Sequence, residues 1–129
     1  MCGLRTLLFA ITSCLTGVFQ ASSAFPQNAD LHLFATCAGR LSALMEDQWL
    51  IADPASDQTA LQRDALLSLV AALATPNDEA RAISWRVEAK AAQADLLSRA
   101  RFGQNEKTAA QAARQSDELI GMCRSLLLG

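Results

Sequence analysis

Two cysteines near opposite ends of the chain, each set in a helical stripe, constrain the fold more than any other feature. Between residues 31 and 52 the apolar or small positions Phe34, Cys37, Leu41, Leu44 and Ile51 step by three and four, with only Gln48 breaking the row. Toward the C-terminus Ala109, Ala112, Ser116, Leu119, Cys123 and Leu126 repeat the rhythm. Each run predicts an amphipathic helix carrying one thiol on its inner face. Cys37 lies six positions into the first and Cys123 five from the end of the second at Leu128. At 1.5 Å per residue both sit roughly 8–9 Å from one end of an antiparallel pair. That match of depth predicts a Cys37–Cys123 disulfide.

Two further helices fit between them. The first helix, capped by Asn28 or Asp30, is expected to end near Asp53-Pro54, because the residue before proline is pushed out of helical geometry. Ser56, Asp57 and Thr59 are candidate caps for a second helix over 58–74. Thr59 and Gln62 there fit either a capping box or the interior of a helix begun at Ser56. Its LLSLVAALA stretch is apolar almost all round and predicts burial on most sides. Thr75 as N-cap and Pro76 at the first helical position start a third helix, which runs to Phe102 with Gly103 as a left-handed cap. Asn105 caps a fourth, which continues to Leu127. Nothing alternates with period two. The expected fold is all-α, an antiparallel up-down four-helix bundle whose first and last helices share a disulfide.

Residues 1–24 stand apart from this pattern. Arg5, the apolar run 6–19 and the small residues Ser22, Ser23 and Ala24 read as a signal peptide cleaved before Phe25, leaving a helical-bundle domain over 25–129. The alternative is a lipobox at Ile11-Thr12-Ser13-Cys14, which would anchor the protein in the envelope through acylated Cys14. Apolar residues after Cys14 and the complete cleavage site favour the first reading. Either way the run is too short for a membrane span. Cleavage removes Arg5 from 11 basic side chains and none of the 13 acidic ones, so the net charge becomes −3. That balance argues against nucleic acid as a partner. It also leaves two of the four cysteines, which in an oxidising compartment permit a single pairing.

The third helix carries the functional expectation. At 100° per residue Ile83, Val87, Ala91, Ala94 and Leu97 form one apolar face, while Trp85, Ala89, Ala92, Leu96 and Ala100 form a second nearly opposite. Arg86, Lys90 and Arg101 make a basic ridge between them. With the Ile83 face taken as core, Arg81, Trp85, Ala89, Ala92 and Leu96 become a candidate partner face, Arg81 stacking on the indole one turn away. A helix of another protein or a second copy of the chain is the expected partner. A helix packed on two neighbours would account for the same pattern without any partner.

Chemistry is sparse. His32 is the lone histidine and reads as a surface or capping residue; no catalytic, metal or cofactor site emerges. Glu46 and Asp47 point about 100° apart and read as a solvated edge, and Met45 and Met122 read as core filler. The stretches LHLFATCAGRLSALMEDQWL and ISWRVEAKAAQADLLSRA, with Cys123 shortly before SLLLG, resemble a family of short exported helical bacterial proteins of unassigned activity. The resemblance implies export and the disulfide, and carries no catalytic residue. The sequence thus reads as a non-enzymatic periplasmic binding module, with an envelope lipoprotein or a small motif-less periplasmic enzyme as alternatives.

Overall fold

The structure, a computed structural model, describes residues 25–128; the segment read as an export signal, Cys14 included, lies outside the described residues. They form α1 (Phe25–Leu50), α2 (Ala55–Leu73), α3 (Glu79–Phe102) and α4 (Glu106–Ser125), with no strand among them. Cys37 and Cys123 are joined, with Sγ atoms 2.01 Å and Cα atoms 5.3 Å apart.

α1 is the hub, and every residue from Phe34 to Gln48 is buried or half-buried. The sequence predicts a helix with one inner stripe; instead α2, α3 and α4 surround it, α2 and α3 most extensively. The cause is visible in its small residues. Ala35, Gly39 and Ala43 recur every four positions, all buried, and so share one side of the helix. At Gly39 the backbone of α3 comes so near that an added Cβ would lie 2.2 Å from the carbonyl oxygen of Arg86 and 3.1 Å from the amide nitrogen of Lys90. In a four-cornered bundle the first and third helices are diagonal; here they make the most extensive contact, while α2 and α3 barely touch.

Contacts along the helices fix their alignment. Leu31 and Ala35 cluster with Ala82 and Trp85, and Arg101 pairs with Asp47, so α1 and α3 lie side by side with their N-termini at one end. Leu31 also packs near Leu73, while Met45 Sδ accepts from Arg63 Nη1 at 3.0 Å near the other end of α1. A second cluster joins Cys37, Ala38 and Leu41 of α1 to Leu66 of α2 and to Ile120 and Cys123 of α4. Of the two methionines expected inside, Met45 is 2 % exposed, but Met122 points outward at 55 %.

Helix ends depart from expectation in instructive ways. α1 starts at Phe25, so Asn28 and Asp30 lie within it rather than capping it. It stops at Leu50, because Ala52 adopts φ 54° and lets its own N–H reach the Trp49 carbonyl (3.1 Å) and that of Asp53 the Gln48 carbonyl (2.9 Å). Ile51 is thereby turned out at 51 % exposure. Alanine tolerates this left-handed geometry at about 1–2 kcal/mol. α2 then begins at Ala55, whose N–H the Asp53 carboxylate accepts at 2.9 Å. Thr59 is therefore interior and fully buried, and the Gln62 side-chain Oε1 accepts from Arg124 Nε at 3.0 Å instead of closing a capping box.

The remaining ends divide between correction and agreement. α2 is not buried on most sides; of its apolar residues Leu66 alone is fully buried, and Leu61 is 65 % exposed. α3 begins at Glu79, after a turn in which Thr75 donates its N–H and hydroxyl to the Asp78 carboxylate and holds that group below the usual carboxylate range. Gly103 is extended at φ −61° rather than left-handed; glycine is suited there because a Cβ would lie 2.5 Å from the Arg99 carbonyl oxygen. Asn105 caps α4 as expected, its side-chain oxygen accepting from the Thr108 N–H at 3.1 Å. The α4 row Ala112, Ser116 and Cys123 is buried, joined by Ile120, which the spacing had not picked out.

Candidate binding grooves

The two apolar faces of α3 exchange the roles expected of them. Ile83 and Val87, assigned to the core, are 52 % and 57 % exposed, and Ala91 and Ala94 are exposed with them. The inward row is Ala82, Trp85, Ala89, Gln93, Leu96 and Ala100. Two contacts set that rotation: the approach of Gly39 to the Arg86 and Lys90 backbone, and a buried hydrogen bond from Gln93 Nε2 to Ser116 Oγ of α4 at 2.7 Å. A polar residue thus occupies the innermost side. Hydrophobic periodicity points elsewhere, because it scores glutamine as outward.

The candidate partner face is therefore divided. Leu96 is 5 % exposed and belongs to the interior. Arg81 and Ala92 are exposed, Trp85 and Ala89 half-buried. Trp85, Ala89 and Ala92 meet His32, Thr36 and Arg40 of α1, each row stepping by three or four, along a shallow groove of about 310 Å³. His32 is an exposed residue, as expected, and meets the Trp85 indole edge to face with centroids 4.7 Å apart. The stacking expected of Arg81 is present, its guanidinium carbon 5.9 Å from the indole centroid. Arg40 is half-buried without an ion pair or hydrogen bond among the described residues, and burial lowers its pKa from the ordinary arginine value. Glu88, also in this groove, accepts from the Ser84 hydroxyl at 2.8 Å.

A second groove opens where α2 and α3 stand apart. Leu67, Val70, Ala71 and Ala74 form one wall and Ala82 and Ile83 the other, around a space of about 400 Å³. Ala35 lies at its floor, and Glu79 and Arg86 on the α3 side carry its charges. Nothing in the sequence pattern marks this groove, since it results from how far α2 stands from α3.

Elsewhere the charged groups tie helices together. Glu46 Oε1 accepts from Lys90 Nζ at 2.6 Å and Asp47 pairs with Arg101, so the edge read as solvated links α1 to the basic ridge of α3. Among the described residues no group of three or more His, Cys, Asp or Glu side chains is placed to hold a metal ion, and no helix is long and apolar enough to cross a membrane. No protein-family model matches the chain, nor does any curated protein or solved structure.

Proposed function

We propose that this chain is an exported, non-enzymatic interaction module whose helices run up-down-up-down and which pairs with a second copy of itself along the α2–α3 groove. The observation that carries the reading is Ile83 and Val87, one turn apart, each more than half exposed beside a groove walled by small and apolar side chains. Contiguous exposed apolar surface on a small domain marks an interaction site. The alanines of the wall allow a second helix to approach closely.

Charge selects a second copy as the occupant. Glu79 and Arg86 lie two turns apart on the same side of α3, flanking Ile83. Two α3 helices crossing antiparallel at Ile83 would set Glu79 of each against Arg86 of the other, the self-complementarity that a two-fold interface requires. Sedimentation velocity tests this with Ile83→Glu combined with Val87→Glu. The parent is expected to sediment as a dimer and the variant as a monomer with unaltered helicity and thermal midpoint. A parent that stays monomeric at high concentration, or a folded variant that still dimerises, would refute the interface.

Export rests on the Arg5, apolar-run and Ser22-Ser23-Ala24 pattern, and the disulfide accords with an oxidising destination such as the periplasm. The intact mass of protein recovered from cells is expected to start at Phe25 and to be two hydrogens short of the reduced chain. A mass beginning at Cys14 with added acyl chains would show the lipoprotein alternative, and retained Met1 in a cytosolic fraction would overturn export.

A further inference from the structure

We propose that the groove between α1 and α3 at Trp85 is a binding site for a small monocarboxylate with a flat apolar body, an aromatic acid being the fitting class. It lies apart from the α2–α3 groove and shares none of its lining residues.

The first support is an unanswered charge. Arg40 presents five N–H donors in a rigid fork suited to a carboxylate, yet it contacts no anion and makes no hydrogen bond among the described residues, although half-buried. Two other cations of the α1–α3 seam are answered by carboxylates, Lys90 by Glu46 and Arg101 by Asp47, while Arg40, like Arg86, is not. Thr36, one turn before Arg40 on the same side of α1, makes no hydrogen bond through its hydroxyl either. A carboxylate held by Arg40 has this second donor beside it.

The second support is the shape of the groove beyond those donors. Trp85 offers an indole wall, and Ala89 and Ala92 keep the α3 side clear of bulk. The indole is steadied by two neighbours, the His32 ring, perpendicular to it, and the Arg81 guanidinium. A preset aromatic wall loses little freedom when a ring packs on it. The space of about 310 Å³ stands at the lower end of the roughly 300–1,000 Å³ typical of small-molecule sites.

Charge then narrows the class. Arg40 and Arg81 against Glu88 leave a single net positive charge from these three side chains, which suits one carboxylate. A phosphate dianion would bring its second charge toward Glu88. An amine would meet the unpaired Arg40.

The chain contains two tryptophans, and Trp49 is exposed, so a Trp49→Phe background leaves Trp85 as the sole indole reporter. Titration with benzoate is expected to give a saturable change in Trp85 fluorescence, whereas acetate, benzyl alcohol and inorganic phosphate are not. Arg40→Gln is expected to weaken benzoate at least about tenfold, as loss of a charge-assisted hydrogen bond does, with Arg40→Lys between the two. Ala92→Leu, which fills the groove without touching the charge, is expected to abolish the response and covers the case in which Arg40→Gln fails to fold. No saturable response to benzoate, or equal responses to benzoate and benzyl alcohol, or full affinity in a folded Ala92→Leu, would each overturn the site. These outcomes are read on monomer and dimer alike and are independent of the α2–α3 interface.

Discussion

Removing the Cys37–Cys123 bridge by paired alanine substitution is expected to lower the free energy of unfolding by about 2–5 kcal/mol, one of the two largest single changes this fold should show. The two cysteines are 86 residues apart in sequence. In the chain-entropy description, a cross-link closing a loop of that size restricts the unfolded chain by about 4–5 kcal/mol, and measured values commonly fall below it. Alanine is the informative replacement. Both sulfurs sit at 0–1 % exposure among Leu41, Leu66 and Ile120, so serine would add the cost of burying two hydroxyls. Urea unfolding of the wild type with and without reductant provides the check, and the reduced wild type should fall close to the alanine pair. Coincident midpoints in the two conditions would show that the bridge does not support the fold.

The second large effect is a contrast between two helical glycines. Gly39→Ala and Gly121→Ala each exchange glycine for the best helix former, a gain of about 1 kcal/mol from propensity alone. Around Gly121 a new Cβ meets nothing within 4 Å, so that gain should appear as added stability. At Gly39 the same methyl would lie 2.2 Å from the Arg86 carbonyl oxygen, a backbone atom that moves only if α3 moves. Overpacking of that kind costs about 1–3 kcal/mol or more and exceeds the propensity gain. Gly39→Ala is therefore expected to destabilise, and Gly39→Leu to separate α1 from α3 and with it the Glu46–Lys90 and Asp47–Arg101 pairs. Denaturant midpoints of the two alanine variants must move in opposite directions. Movement in the same direction would mean that the α1–α3 approach is looser than described.

Helical content and the covalent clamp were legible in the sequence because each rests on a short-range rule. The α4 stripe, the Asn105 cap and the pairing of the only two cysteines beyond residue 24 follow from periodicity, capping chemistry and the cysteine count. The depth match does not hold, because α1 starts at Phe25 and α4 ends at Ser125, placing Cys37 and Cys123 at unequal distances from those ends. The rotation of α3 was not legible by the same means. Its inward face contains Gln93, whose Nε2 donates to Ser116 twenty-three residues away while its buried Oε1 has no partner among the described residues, and its outward face contains Ile83 and Val87. A rule that ranks faces by hydrophobicity inverts such a helix. A better signal existed on α1, where Ala35, Gly39 and Ala43 mark the side on which another backbone comes close. His32, Thr36 and Arg40 likewise recur every four residues, so the α1 half of the Trp85 groove was present as spacing. Its α3 half depended on a rotation that only the packed pair determines. The α2–α3 groove had no local signature at all, being set by how far apart two helices stand.

The placement of the disulfide has a topological consequence. Its ring runs from Cys37 to Cys123 and encloses all three connections between helices, at residues 51–54, 74–78 and 103–105. Exposed connections are where proteases nick a compact domain. A single cut in any of them would leave two fragments still joined through sulfur, with their helices still packed on α1. Outside the cell, where peptidases are met and reductants are scarce, such a molecule would survive a first cleavage as one covalent piece, separating only once the bridge itself is reduced.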